Sequence, residues 1–289
     1  AAREPGGTRR PGTANGAEAG NARSGANERA QSTGHSGHTF LRNSSASRGV
    51  FGALDLGTNN CRLLIARRTH GDEGEFQVID AYSRIVRLGE GLLQSGRLSD
   101  VAMDRAAAAL AACADKLARR GVTQVRSVAT EACRRAENGP EFVRRVYEET
   151  GLALDVITPA EEARLAVLGC QTLIDRKARR TLVFDIGGGS TEVVLLERVN
   201  GDRTRAPAFR MEAWVSVPWG VVSLGETELA DAGSPQKRLE AYRRMKARVS
   251  EHLTPLIQRM RGEVQLLGAS GTVTTLASLN MGLAQYDRR

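Results

Sequence analysis

The clearest pattern in the chain is a pair of apolar runs interrupted by a short glycine-bearing turn. Residues 50–56 (VFGALDL) and 61–67 (CRLLIAR) each read as a buried strand, with the turn GTNN at 57–60 between them. The pattern returns at 182–196, LVFDIGGGSTEVVLL, again strand, turn and strand. Asp55 and Asp185 hold the same place in the two hairpins, 130 residues apart. A strand–turn–strand unit repeated at domain-sized spacing predicts two similar halves facing one another.

Between the hairpins the polar spacing becomes helical. FQVIDAYSRI, from Phe76, predicts a strand followed by a loop marked by Gly89 and Gly91. Ser99 and Asp100 form a helix N-terminus, the Ala-rich stretch to Arg120 is strongly helical, and Gly121 supplies the stop. A strand at 125–130 runs into a polar loop, Pro140–Thr150 is a helix, and Leu154–Ile157 is a short strand. Pro159 opens a helix through Ile174, and Pro235 opens a long basic helix to Arg261. VQLLGASGTVTTLASL, from Val264, reads as strand, turn and helix. Strands separated by helices in this way predict an α/β fold.

Composition changes the picture at one end. The chain has 289 residues and a net charge of +8, and 41% of its residues are hydrophobic, enough for one or two domains. Residues 1–48 carry seven Arg, three Glu and eight Gly, but only Phe40 and Leu41 as large apolar residues. That segment is +4, leaving 8 − 4 = +4 for residues 49–289. It lacks the surface to offset the entropy of ordering, so 1–48 is expected to be a disordered basic tail. The first 40 residues offer no apolar signal-peptide core, and the rival reading, a mitochondrial transit peptide, lacks an amphipathic period.

No run approaches the roughly 18 apolar residues of a membrane span, so no membrane partner is expected. The four cysteines are scattered without a CxxC pair, which predicts reduced thiols, a cytoplasmic location and no structural metal. Aromatic residues are only 4%, leaving few stacking platforms for nucleic acid. The arginine pairs at 67–68, 119–120, 144–145 and 179–180 read mainly as exposed faces, although their charge alone could follow a polyanion.

The glycines of DIGGGSTE carry the candidate chemistry. A dinucleotide loop needs a helix after its glycines, and here a β-rich run follows instead; no Walker loop is present either. Two readings stay open on the residues alone. One is a hairpin turn whose consecutive N–H groups form an anion nest, helped by the hydroxyls of Ser190 and Thr191. The other is a tight turn whose glycines only supply positive φ. Asp185 and Glu192 flank the turn, and carboxylates beside a phosphate nest need a bridging cation such as Mg²⁺.

The two D-x-G loops together resemble the paired phosphate loops of the actin/Hsp70/sugar-kinase superfamily. The ordered series DLGTNNCRLLI, RLGEGL, ATEACRRAEN, ITPAEEARL, FDIGGGSTEVVLL, PWGVVSLGE and GASGTVTTLASL narrows this. It is similar to the exopolyphosphatase/guanosine pentaphosphate phosphohydrolase (Ppx/GppA) family over residues 50–289. The resemblance implies two ribonuclease-H-like, actin-like domains with a cleft between them, at 49–158 and 159–289. It also implies that the second domain is cut short. The implied activity is Mg²⁺-dependent hydrolysis of the terminal phosphoanhydride of inorganic polyphosphate. The alternatives are a guanosine pentaphosphate phosphohydrolase and a sensor that binds such ligands without turnover. A homodimer is compatible with it.

Residue by residue, the resemblance makes Glu162 the base that activates water, although an acid in the first turn of a helix is also favoured by the macrodipole alone. It assigns Asp185, Glu192 and Asp55 to Mg²⁺ or another divalent cation, while Asp55 also suits a strand-end cap. Gly57, Thr58, Asn59 and Asn60 would hold phosphate on one side, and Gly187, Gly188, Gly189, Ser190 and Thr191 on the other. Asn60 stands where the family often has Ser. Arg134 matches an arginine of the substrate cleft, its neighbour Arg135 reads as a solvated helix-start charge, and Gly271 and Thr272 resemble a further phosphate loop or form a plain strand-to-helix turn.

Overall fold

The alternation that predicts the first hairpin also gives it a buried face. The computed structural model describes residues 49–69, 76–199 and 208–284. In it β1 (Val50–Leu56) turns Val50, Leu54 and Leu56 inward and pairs antiparallel with β2 (Asn60–Arg68), which buries Cys61, Leu63 and Ile65. β3 (Phe76–Ile85) adds antiparallel to β2. A short helix α1 (Leu92–Ser95) precedes α2 (Asp100–Arg119), whose cap Ser99 accepts the Ala102 N–H at 3.3 Å. Ala106, Leu110, Cys113 and Leu117 recur at helical spacing along α2 and share one core with the hairpin. Each such leucine, fully buried, contributes about 1.5–3 kcal/mol.

β4 (Gln124–Ala129) pairs parallel with β1, and the short β5 (Asp155–Val156) pairs parallel with β4. Between them α3 (Glu131–Arg135) and α4 (Gly139–Thr150) add Cys133, Phe142 and Val146 to the same core. The first sheet therefore runs β3-β2-β1-β4-β5.

The chain then enters α5 (Pro159–Cys170), followed by a 3₁₀ turn (Gln171–Leu173), β6 (Arg180–Ile186), β7 (Thr191–Val199) and β8 (Ala208–Val217). α6 (Val221–Glu228), α7 (Pro235–Ile257), β9 (Gln265–Ala269) and α8 (Ser270–Asn280) follow. The second sheet runs β8-β7-β6-β9, the same succession of pairings as β3-β2-β1-β4. In each, an antiparallel hairpin carries a third antiparallel strand on one side and a parallel strand on the other. β7 is buried on both faces, which is why it reads as the unbroken run VVLL. Val194 and Leu196 pack with Ala163 and Cys170 of α5, and Val193 and Leu195 pack with Leu256 of α7.

The α/β class and the two hairpins are as expected, and the boundaries differ in places. The stretch after β4, expected as a polar loop, forms α3. α5 ends at Cys170, where the backbone tightens into the 3₁₀ turn, rather than at Ile174. α7 ends at Ile257, two residues after Pro255, whose ring removes a helical N–H donor. β8 and α6 were not expected. The tail predicted at 1–48 lies outside the described residues. All four cysteines are buried free thiols, and the Cys61 and Cys113 sulfurs stand 3.9 Å apart. Among the described residues, no helix is long and apolar enough to cross a membrane.

Candidate active site

Both hairpins close in the same way. The Gly57 N–H donates to the Asn60 carbonyl at 2.9 Å, and the Gly187 N–H to the Ser190 carbonyl at 3.0 Å. The two turns then pack against each other. A Cβ placed on Gly188 would lie 3.1 Å from Thr58 Cβ and 3.2 Å from Asn59 Cβ. One on Gly189 would lie 2.8 Å from Thr58 Oγ1 and 3.0 Å from Glu131 Cγ. The bare second turn thus makes room for the side chains of the first.

The glycine turn is also held from behind. The first N–H groups of α6 donate to it: Val221 to the Gly187 carbonyl at 3.0 Å, Val222 and Ser223 to the Gly188 carbonyl at 2.9 and 3.2 Å. Gly220 completes the contact, since a Cβ there would lie 2.5 Å from the Gly187 oxygen. Among the described residues no backbone carbonyl receives the N–H groups of Thr58, Asn59 or Gly188, all of which line one cavity. Unspent N–H groups at the ends of two turns are anion donors.

That cavity has a volume of about 500 Å³. Asp55 and Gly57–Asn60 line it from the first sheet, Asp185–Gly188 from the second, Glu162 from α5, and Ser270–Thr272 from the start of α8. Arg62, Ile85, Val221, Thr275 and Leu276 complete it. Ser270 has a φ of 77°, unusual for a residue with a side chain, and its hydroxyl donates to the Ile186 carbonyl at 2.6 Å. A larger cavity of about 1150 Å³ lies where β6 and β9 begin, lined by Lys177, Arg179, Arg261 and Glu263 among others. It contains no residue of either turn, and the smaller cavity is the candidate site.

Electrostatics separate two adjacent acids on α5. Thr158 caps the helix by accepting the Glu161 N–H at 3.2 Å, which fixes Glu161 and Glu162 in the first turn. Glu161 meets Arg164 at 2.7 Å and Arg126 at 2.9 Å, and these hydrogen bonds pull its carboxyl down to about 2. Glu162 faces inward. Burial, and then the charge of Glu192, hold its carboxyl well above the usual range, against the opposing pull of Arg134. Of the two, only Glu162 lines the cavity, and its raised proton affinity suits a general base there.

Three further carboxylates share that environment. Burial raises Asp55 from an ordinary 3.8 to about 6, with Arg62 pulling it back and Asp185 adding to the rise. Asp185 is raised by burial against the pull of Ser270 and Arg62. Glu192, only 2% exposed, is raised by burial although Ser216 Oγ donates to it at 2.9 Å. These groups bind protons more tightly folded than unfolded. Their stabilising contribution is therefore complete below the ordinary carboxylate range and is lost as pH rises through their raised values. We expect the thermal midpoint in metal-free buffer to fall between pH 5 and pH 8, and Asp55→Asn to flatten the slope. A midpoint that rises across that interval overturns the assignment.

The structure brings most of the sequence-derived residues to one cavity. Asp55, Gly57, Thr58, Asn59, Asn60, Glu162, Asp185, Gly187, Gly188, Gly271 and Thr272 line it. Gly189, Ser190, Thr191 and Glu192 do not line it; Thr191 Oγ1 donates to the Trp219 carbonyl at 2.8 Å, Ser190 and Glu192 are buried, and the charge of Glu192 reaches Glu162. Arg134 stands behind Glu162, donating to it, to Glu131 and to the Ile157 carbonyl. Arg135 closes α3 rather than starting a helix, 3.8 Å from Glu131.

Arg62 was missed. It lies across the β1–β2 register from Asp55, as Glu192 lies across from Asp185. Its Nη2 comes within 2.8 Å of where a Cβ of Gly271 would stand, and it makes no hydrogen bond or ion pair among the described residues. The repeat carried the signal, because each residue sits seven places after its aspartate.

Comparison with known proteins bears on this site. The model of the Ppx/GppA phosphatase family matches residues 64–289. Exopolyphosphatase 2 of Mycobacterium tuberculosis is 34% identical over 243 residues, covering 81% of this chain and 72% of that protein. Among solved structures, the Aquifex aeolicus member of the Ppx/GppA family has 30% identity and a TM-score of 0.62, covering 83% of this chain and 72% of its own. An exopolyphosphatase from Cytophaga hutchinsonii has 28% identity and a TM-score of 0.67, covering 81% of this chain and 70% of its own.

Proposed function

Because the chain belongs to the Ppx/GppA phosphatase family, and its two sheets repeat one strand order, we propose that it is an exopolyphosphatase that releases the terminal phosphate of inorganic polyphosphate. The observation that carries this is Glu162, a buried carboxyl of raised proton affinity on a cavity edged by unspent N–H groups. In this mechanism the N–H groups of Thr58, Asn59 and Gly188 take the terminal phosphate oxygens, and Arg62 offsets their charge. Glu162 accepts a proton from water as its oxygen attacks the terminal phosphorus. The bridging P–O bond breaks and leaves a chain shorter by one phosphate. Positioning and charge neutralisation supply most of the catalysis in phosphoryl transfer, so one base is sufficient.

Mg²⁺ suits the donors present. The acids are hard oxygen ligands whose shielding from water raises their proton affinity. Asp185 faces Glu192 across its hairpin, so Asp185 and Glu192 are the ligands to expect, with Asp55 in support. No three acids among the described residues converge tightly enough to enclose an ion, so Mg²⁺ held here would take the rest of its shell from substrate phosphates and water. When bound, it would neutralise charge on the transferring phosphoryl group.

A second reading, guanosine pentaphosphate as substrate, has one observation in its favour. Ile85 and Leu276 line the cavity yet are 62% and 59% exposed, an apolar pair that polyphosphate cannot use and a nucleoside can. Phosphate release from the two substrates, compared as kcat/KM with Mg²⁺ present, decides between them. Ligand binding without release of phosphate from either would favour a sensor. In the same assay Arg62→Met is expected to raise KM for polyphosphate roughly tenfold, the loss of one charge-assisted contact. An unchanged KM removes Arg62 from the phosphate site.

A further inference from the structure

Glu131, at the start of α3, has no part in the cavity, yet it is tied to the residue that matters most there. Arg134 donates to Glu131 Oε2 from Nε at 3.2 Å and from Nη2 at 2.8 Å. The same Nη2 donates to Glu162 Oε2 at 3.1 Å, and Nη1 donates to the Ile157 carbonyl at 2.5 Å. All three side chains are more than four-fifths shielded from solvent. The guanidinium is therefore divided between two carboxylates, one on the cavity and one outside it.

We propose that Glu131 is a positioning residue: it anchors Arg134 so that the guanidinium makes one bond to Glu162 and leaves the rest of that carboxylate free for water. The inference rests on the proposed role of Glu162 as base. A planar guanidinium next to a lone carboxylate closes onto it with two parallel N–H···O bonds. Glu131 prevents this by engaging Nε and Nη2 together. With its charge removed, Arg134 swings fully onto Glu162 and takes the oxygen that should receive the proton. Glu131 Cγ also lies 3.0 Å from where a Cβ of Gly189 would stand, so a purely structural role must be separated from this one.

Charge and size separate the two. Glu131→Gln keeps the size and loses the charge; Glu131→Asp keeps the charge and loses a methylene. The kinetics are measured as phosphate release from inorganic polyphosphate with Mg²⁺, on the full chain. Glu131→Gln is expected to lower kcat about tenfold with KM within about twofold, and Glu131→Asp to retain more kcat than Gln. In an Arg134→Met background Glu131→Gln is expected to change kcat by less than about twofold, because its effect passes through Arg134. The proposal is overturned if Gln retains kcat, if Asp is the poorer of the two, or if the losses from Glu131→Gln and Arg134→Met multiply. Glu162→Gln is run alongside. Should it keep the wild-type rate, the role of Glu162 falls; should it lose turnover as expected while Glu131→Gln retains the wild-type kcat, only the inference about Glu131 falls.

Discussion

Glu162→Gln is expected to lower kcat for phosphate release from polyphosphate by about 10²–10⁴-fold, the range for removing a general base. The amide keeps the shape of the side chain and can still accept the Arg134 N–H, so folding and KM should change little. What it loses is the ability to take a proton from water. Glu161 cannot substitute: it is one position round the helix, outside the cavity, and tied to Arg126 and Arg164. Glu161→Gln, by contrast, is expected to change kcat less than about threefold, since exposed ion pairs contribute little. A Glu162→Gln enzyme keeping more than a tenth of the wild-type kcat would move the base elsewhere in the cavity, with Asp55 and Asp185 the next to test.

Gly220→Ala is expected to be the most destabilising single-methyl substitution at the site, by about 3 kcal/mol, because overpacking against immobile atoms costs 1–3 kcal/mol or more. Its Cβ would meet backbone on both sides, 2.5 Å from the Gly187 oxygen and 2.5 Å from the Gly188 carbonyl carbon. No rotamer relieves that contact. The turn must move away, and with it the N–H groups facing the cavity, so activity should fall with stability. Gly225, one turn and a residue further along α6, has nothing within 4 Å of its would-be Cβ. Gly225→Ala should therefore stabilise by about 0.5–1 kcal/mol through helix propensity. Thermal midpoints of the two variants moving in the same direction would refute the account of this turn.

Much of the framework was legible because it is locally encoded. The two hairpins announce themselves by apolar runs around turns, and their equivalence by the spacing of Asp55 and Asp185. α2 is legible from Ser99 and its alanines. What escaped is held together at a distance. α6 has a glycine at its N-cap, and its first N–H groups are satisfied by carbonyls of a turn more than thirty residues earlier in the chain. α3 is five residues long, and the backbone beyond it is pinned by Asn138, whose side chain accepts the Leu98 N–H at 2.8 Å. β8 mixes charge with apolar residues because it is the outer strand of its sheet.

At the site, residue types were visible and their environments were not. EEARL places two acids in one helical turn, and nothing in the letters shows that one faces two arginines and the other a buried cavity. Arg134 looked like a phosphate ligand because it is an arginine in a cleft motif; its partners are Glu131, Glu162 and a carbonyl. Arg62 could have been found, since the repeat aligns it with Glu192.

The contact between the two turns has an evolutionary consequence. Thr58 and Asn59 fill the space that Gly188 and Gly189 leave empty, so the junction has a fixed volume to distribute between two segments 130 residues apart in the chain. A side chain can be gained on the second turn only where one is given up on the first: a methyl at 189 requires the loss of the Thr58 hydroxyl. The two turns are therefore coupled in volume, and the effect of a substitution in one depends on the side chain that faces it from the other.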